Sequence, residues 1–200
     1  FLNNIAGRVT SILMNVILLR MGGPAAVSVY GILMYADGFI QPLLYGMCDS
    51  LQPAVGYNWG AGNRKRVNAI EKRCYGASAL LSLSLAAALF FAPGTIAGLF
   101  IESADSGLYE MALPALRLFA MTYFTRWLSF ATQSFMSAVE RPAFAAAISL
   151  SVAFVFPLLV IVILWPMGLT GLWLNFPCSA LLAGVLSVWI LLRFRKARSK

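Results

Sequence analysis

The chain has 200 residues, of which 60% are apolar and 11% are charged, with a formal net charge of +8 and a mean hydropathy of +0.81. Soluble domains are about half apolar and a quarter charged, so this composition excludes an ordinary soluble domain. The apolar residues form blocks of about 20 residues, which is the length of helix that crosses the hydrocarbon core of a bilayer. The sequence therefore predicts an all-α integral membrane protein.

Six apolar blocks are long enough to span a bilayer, and together they predict one six-helix domain over residues 1–200. The predicted spans lie at about residues 2–21, 25–57, 77–101, 109–139, 143–164 and 172–192. The second block is too long for a perpendicular crossing, so it should tilt, bend near Pro42 or protrude. The basic stretch from Arg64 to Arg73 is predicted to be an amphipathic interfacial helix that leads into span three.

Lysine and arginine are concentrated after span two and after span six. Cytoplasmic segments of membrane proteins carry an excess of these residues, so both places are predicted to be cytoplasmic. Both ends of the segment should then face the cytoplasm, in a bacterial inner or plasma membrane. The chain begins at Phe1 rather than at a methionine, and we interpret this start as the truncated N-terminus of a longer polypeptide.

The sequence disfavours several other classes of protein. The basic residues lie in gaps between apolar blocks rather than in one patch, so no nucleic-acid partner is expected. Cys48, Cys74 and Cys178 are far apart and the chain has no histidine, which disfavours a metal site or a disulfide framework. An intramembrane enzyme is disfavoured as well, because no nucleophile with a base is evident.

Polar residues recur at helical spacing inside spans one, two and four. Polar side chains are costly in lipid, so we expect these stripes to face protein or water and to line a hydrated cavity. The candidate residues for binding a substrate or coupling ion are Asn4, Arg8, Asn15, Asp37, Gln41, Tyr45, Asp49, Arg126 and Gln133. An alternative is that the two aspartates only form structural ion pairs with the two arginines.

A glycine-rich segment, here called the signature segment, covers residues 52–63 and reads QPAVGYNWGAGN. Its glycines suit a sharp turn at a helix end, and Asn63 can cap the helix that follows, so its predicted role is structural. The motif residues are Gln52, Pro53, Gly56, Tyr57, Asn58, Gly60, Gly62 and Asn63.

The signature segment resembles the motif that closes the eighth helix of multidrug and toxic compound extrusion (MATE) transporters. The similarity extends over nearly the whole chain and includes AVSVYG at 26–31, Arg141-Pro142 after span four, and GLTGLW at 168–173. The resemblance implies that the chain is the carboxy-terminal lobe, spans seven to twelve, of a twelve-helix transporter.

The resemblance implies a cation-coupled antiporter, in which a Na⁺ or H⁺ gradient drives export of amphipathic organic cations. Its implied partners are the lipid bilayer, the amino-terminal lobe of the same polypeptide and small organic cations, with no cofactor besides the coupling ion. Some members carry acids in helices seven and ten, where this sequence has Asn4 in the first case and Arg126 and Gln133 in the second. Asp37 is therefore the predicted coupling carboxylate within this lobe.

Two alternatives remain open at this point. The first is a lipid-linked oligosaccharide flippase or another exporter of the same superfamily, which would share the lobe but move a different cargo. The second is a non-transporting membrane subunit, in which the polar stripes would only bind neighbouring helices.

Overall fold

The structure is a computed structural model that describes residues 2–101 and 106–198, with side chains described for 5–101 and 107–196. The described residues form helices and short connections, without a strand. The helices are α1 (Leu2–Asp49), α2 (Gln52–Gly60), α3 (Arg64–Phe91), α4 (Pro93–Ala97), α5 (Ser106–Ala120), α6 (Tyr123–Ala138), α7 (Pro142–Leu150), α8 (Phe156–Leu164) and α9 (Gly168–Arg198). Residues 102–105, between the third and fourth predicted spans, lie outside the described residues.

Helix α1 is a helical hairpin. Gly23 is its only residue with non-helical backbone angles, at φ 67° and ψ −166°, a conformation that favours glycine. The hydroxyl of Tyr30 donates a hydrogen bond of 3.2 Å to Ser11 Oγ across 19 residues, whereas a straight helix would separate the two by roughly 28 Å. The two halves of α1 are therefore antiparallel, and the turn coincides with the predicted break between spans one and two.

The predicted second span is interrupted. Helix α1 runs through Pro42 and ends at Asp49, and α2 begins three residues later at Gln52. Pro53 lacks the N–H that would bond the carbonyl of Asp49 four residues earlier, so the helical ladder cannot continue there. The interruption therefore lies at residues 50–51 rather than near Pro42.

Helix α3 merges two predicted elements. The basic stretch, predicted to be helical and to lead into span three, forms the first turns of a continuous 28-residue helix. That helix ends at Phe91, before the predicted end at residue 101, because the next residue precedes Pro93. A residue before proline is pushed out of the helical region, and Ala92 has φ −123° and ψ 46°.

The fifth predicted span contains a π-helical turn, Ser151–Val155, between α7 and α8. Pro157 follows this turn and has no N–H to donate to the carbonyl of Ala153, four residues before it. Thr10 Oγ1 donates to that carbonyl at 2.8 Å from the neighbouring α1. A side chain thus satisfies the backbone group that proline leaves free, as membrane helices require.

Helices α8 and α9 form a second antiparallel hairpin. The turn between them ends at Gly168, which has φ 61°. Asn175 Nδ2 donates to the carbonyl of Pro157 at 3.1 Å, although the two residues are 18 positions apart in the sequence. Asn175 also accepts a hydrogen bond of 2.7 Å from Ser179 Oγ, so this buried amide ties the hairpin together.

Three helical stretches are long and apolar enough to cross a membrane by length and composition: Ile5–Gly60, Arg64–Phe91 and Pro142–Lys196. The first and third each fold back as a hairpin, and α5 and α6 follow one another through a turn of i→i−3 hydrogen bonds at residues 121–122. The described chain therefore makes roughly six crossings and forms an all-α membrane bundle.

Two large apolar clusters, and a small one at Cys48, Cys74 and Ala131, fill the described part of the bundle. The larger cluster includes Leu18, Leu33 and Phe119 and lies toward the Gly23 turn. The smaller of the two large clusters includes Val67, Met136 and Phe194 and lies at the opposite end of the helices. We call this opposite end the basic end, because residues 64–73, 141 and 193–196 place their lysines and arginines there.

The hydrogen bond from Thr10 to Ala153 can be tested by a double-mutant cycle. We expect Thr10→Val to lower the free energy of unfolding by about 1 kcal/mol, because it leaves the freed carbonyl without its donor. In a Pro157→Ala background the new N–H can supply that donor, so the same change should cost much less. Thermal unfolding of the full-length protein in detergent measures the cost of Thr10→Val in each of the two backgrounds. Equal losses in the two backgrounds would contradict this role of Thr10.

Candidate functional site

A charged cluster lies between the middle of α1's second half and the first turns of α6. Arg126 Nη1 is 3.2 Å from Asp37 Oδ1, and Arg126 Nη2 is 3.4 Å from Asp37 Oδ2. The hydroxyl of Tyr123 also donates to Asp37 Oδ1, at 2.5 Å. We call Asp37, Tyr123 and Arg126 the Asp37 cluster. The side chains of Asp37 and Arg126 are only 15% and 13% exposed, so the pair is largely removed from solvent.

Neighbouring side chains hold the Asp37 cluster in place. Ser82 Oγ on α3 donates to the backbone carbonyl of Tyr123 at 2.6 Å, which fixes the start of α6 against α3. The Arg126 guanidinium lies 5.4 Å from the centre of the Phe130 ring, within the range of a cation–π contact. Phe130 in turn stacks on Tyr45 with ring centres 4.1 Å apart.

The first turns of α6 also carry unused polar atoms. Among the described side chains, Arg126 Nε, Thr122 Oγ1 and Thr125 Oγ1 are buried without a hydrogen-bond partner. A buried donor without a partner costs about 1–3 kcal/mol, so these atoms can bind water or a polar ligand group at little further cost. The Asp37 cluster thus combines a paired carboxylate, a cation and spare hydroxyls.

The polar residues of span one form a second, looser group. Asn15 is half-buried, and its Nδ2 donates to the Ser11 carbonyl of its own helix at 2.9 Å. Arg8 is exposed and lies two residues before the buried Thr10, which bonds Ala153 in the π-helical turn between α7 and α8. Asn4 lies within α1, but its side chain falls outside the described residues. None of the described side chains of this group contacts the Asp37 cluster directly.

The remaining predicted site residues lie on the faces of α1 and α6. Gln41 is half-buried, and Gln133, also half-buried, lies beside the Tyr45 phenol. Asp49 is exposed and accepts a hydrogen bond of 2.7 Å from Gln52 Nε2. Of the two aspartates, only Asp37 is therefore seen paired with an arginine.

The signature segment closes the break between α1 and α2. Gln52 Nε2 donates to Asp49 and also to Ser134 Oγ on α6, at 3.1 Å. Ser134 Oγ donates at 3.0 Å to the carbonyl of Cys48, in the last turn of α1. The start of the signature segment is thus a structural link between spans two and four.

The end of the signature segment is a glycine-terminated helix stop. The Asn63 N–H bonds the Asn58 carbonyl at 2.8 Å and the Gly62 N–H bonds the Trp59 carbonyl at 3.1 Å, the two bonds of a Schellman motif. Gly62 has φ 72°, which an L side chain rarely adopts. Asn63 Oδ1 then accepts from the Arg66 N–H at 3.4 Å and caps α3, as its sequence position predicts.

Some residues of the site escape sequence reasoning. Tyr123 and Ser82 are not among the site residues predicted from the sequence, yet both hold the Asp37 cluster. Their roles depend on which helices touch, and helical spacing alone does not give that. Asn175 could have been found, because an amide inside an apolar span signals a buried hydrogen-bond network.

A helical bundle with roughly six crossings, polar stripes and a charged cluster at mid-depth defines the lobe of a polytopic membrane transporter. The sequence model of the MatE family matches residues 1–163. The chain therefore belongs to the MatE family, whose members are transporters and not enzymes. Among curated proteins, no sequence match is found.

Solved structures match the fold over the whole chain. An outward-facing multidrug resistance MATE family transporter of the MOP superfamily superposes with a TM-score of 0.89 at 15% identity, covering 100% of this chain and 45% of its own. A MATE structure in complex with MaL6 gives 0.90 at 14%, with coverage of 100% and 45%. At these identities the likeness concerns the fold alone, and the chain spans less than half the length of these solved chains.

A third structure differs in its reported binding pocket. A MOP superfamily transporter from Pyrococcus furiosus, described as having a pocket of reverse polarity that suggests a different function, gives a TM-score of 0.84 at 18% identity. The match covers 96% of this chain and 44% of that one.

The Asp37 pair can be tested through stability. We expect Asp37→Asn or Arg126→Gln alone to lower the free energy of unfolding by about 3 kcal/mol or more, because each leaves a buried charge without its partner. The double variant should lose less than the sum of the two. Asp49→Asn is the matched control and should cost under about 1 kcal/mol, since Asp49 is exposed. Additive losses in the double variant would show that the pair is not coupled.

Proposed function

We propose that the full-length protein is a cation-coupled antiporter that exports amphipathic organic compounds, and that this chain is its carboxy-terminal lobe. The observation that carries the proposal is the Asp37 cluster, in which a carboxylate and a guanidinium on two different spans meet at mid-depth. Ionisable groups at this depth are rare and usually mark ion or substrate pathways. Membership of a transporter family makes a pathway the natural role for this cluster.

The proposed coupling step is a change of partner at Asp37. A proton on the carboxylate, or a sodium ion bound by Asp37 and the Tyr123 hydroxyl, competes with the Arg126 guanidinium for the same oxygens. Losing that contact loosens α1 from α6 and so favours one arrangement of the lobe over another. Because the ion concentration differs on the two sides of the membrane, the gradient can favour one arrangement when the site faces one side and the other arrangement when it faces the other side.

The proposed cargo is an amphipathic organic cation bound between this lobe and the amino-terminal lobe. Exposed aromatic rings next to cluster residues in the sequence, Phe39 and Phe124, offer faces that attract a cation. The carboxylate of Asp37 becomes available to such a cargo only when the coupling step separates it from Arg126.

An organic anion is a second candidate cargo. The carboxylate of Asp37 is already neutralised by Arg126, while Arg8 remains exposed on span one. Arg126 Nε also has no partner, so a guanidinium N–H is free to bind an anionic group. The solved relative described as having a pocket of reverse polarity makes this alternative worth testing beside the first.

We further propose that the basic end faces the cytoplasm of a bacterial cell, which puts both ends of this segment there. The exposed cations of α3 and of the end of α9 support this orientation. The Gly23 turn then faces the outside.

The test is export by the full-length protein in cells or proteoliposomes, with the sodium and proton gradients collapsed separately. A fluorescent organic cation and a fluorescent organic anion are the two cargo probes. We expect export of the cation to stop with one of the gradients and to fall at least tenfold in Asp37→Asn, while Asp49→Asn retains it.

Export of the anion alone would select the second candidate. Full coupled transport by a folded Asp37→Asn protein would remove Asp37 from the coupling step. No export of either probe under any gradient would favour a different cargo, such as a lipid-linked sugar.

A further inference from the structure

The basic end carries more cations than its acids can neutralise. Its exposed cationic residues are Arg64, Lys65, Arg66, Lys72, Arg73, Arg141, Arg193, Arg195 and Lys196. The described acids at the same end are Glu71, which is paired with Arg195 at 3.0 Å, and the exposed Asp49 and Glu140. The surface therefore keeps a strong positive excess after all local pairing is counted.

Contacts between three helices gather these cations into one surface. The Arg64 guanidinium lies 3.6 Å from the centre of the Trp59 ring on α2. Trp59 lies 5.7 Å from Phe194 of α9, ring centre to ring centre. The Glu71–Arg195 pair joins α3 to α9 beside this contact. The cations of α3 and α9 are thus neighbours in space although they are far apart in the sequence.

An exposed apolar face of α9 leads directly into its cations. Val185 and Leu192 are both 62% exposed and Trp189 is 52% exposed, at helical spacing along one face. The Arg193 guanidinium lies 5.3 Å from the Trp189 ring, one turn further on. Exposed apolar residues followed by tryptophan and then arginine are typical of a helix that leaves the hydrocarbon at the headgroup level.

Helix α3 repeats this arrangement. Leu80 is 71% exposed and Leu83 is 41% exposed. Arg73 is exposed seven residues before Leu80 and therefore lies on the same side of the helix, nearer the basic end. Two apolar helix faces thus run toward one cationic surface.

We propose that the basic end is a binding surface for anionic phospholipids, with phosphate headgroups at Arg73 and Arg193 and acyl chains on the exposed faces of α3 and α9. Arginine binds phosphate through its fork of N–H donors, and basic clusters next to membrane helices bind anionic headgroups. The continuous apolar faces favour a lipid over a soluble anion, because only a lipid brings apolar chains to cover them. This proposal does not depend on the nature of the transported cargo.

The experiment uses the full-length transporter in detergent, with fluorescent phosphatidylglycerol, fluorescent phosphatidylcholine and inorganic phosphate as the three probes. We expect phosphatidylglycerol to bind more tightly than phosphatidylcholine and to raise the melting temperature, and inorganic phosphate to do neither. Binding should weaken steeply with added salt, since exposed charges carry it.

The variant for this test is Arg73→Gln combined with Arg193→Gln, which avoids Arg195 because its loss would leave the buried Glu71 unpaired. We expect the affinity for phosphatidylglycerol to fall about tenfold in this variant. The matched control is Arg20→Gln combined with Arg117→Gln, which removes two exposed arginines that lie outside the basic end. The control should bind like the parent.

Several outcomes would overturn the proposal. Equal affinity of the parent for the two lipids would do so, as would an equal loss in the control variant. Displacement of the lipid by millimolar inorganic phosphate would indicate a site for free anions instead. If the double variant does not fold, the headgroup preference and salt dependence of the parent alone decide the matter.

Discussion

The structure depends on one constraint, which is that backbone N–H and C=O groups inside a membrane must find partners within the protein. The helices of this chain are interrupted several times, and side chains from neighbouring helices donate hydrogen bonds to backbone carbonyls at the interruptions. Thr10 bonds the carbonyl that Pro157 leaves free, and Ser134 bonds the Cys48 carbonyl at the break before α2. The bundle is thus held together at the places where its helices are imperfect.

The parts of the fold that could be predicted are those with local signals in the sequence, whereas hydrogen bonds between spans could not be predicted. Apolar blocks and the breaker at Gly22 to Pro24 are local signals, so the class of fold and the first hairpin follow from the sequence. The continuous α3 agrees with the predicted helical basic stretch that leads into span three, although the helix ends at Phe91, before the predicted residue 101. The π-helical turn before Pro157 was not predicted, because a proline in a span indicates an imperfect helix but not the backbone geometry that it takes.

The candidate site could be predicted in part for similar reasons. Helical spacing selected Asp37 and Arg126, and the alternative of an ion pair between an aspartate and an arginine was considered from the sequence. Which aspartate meets which arginine depends on helix packing, and the structure pairs Asp37 with Arg126 and leaves Asp49 with Gln52. The role of Tyr123 could not be predicted from the sequence, because only the crossing of α1 and α6 brings its hydroxyl to the carboxylate of Asp37.

The turn at Gly23 has a consequence for biosynthesis. Only one residue of that turn departs from helical geometry, so no extramembrane loop separates the first two crossings. With no hydrophilic segment between them, the two halves of α1 can enter the bilayer as one helical hairpin. A side chain larger than hydrogen at Gly23 would strain the turn on which that hairpin depends, because L residues rarely adopt a φ of 67°.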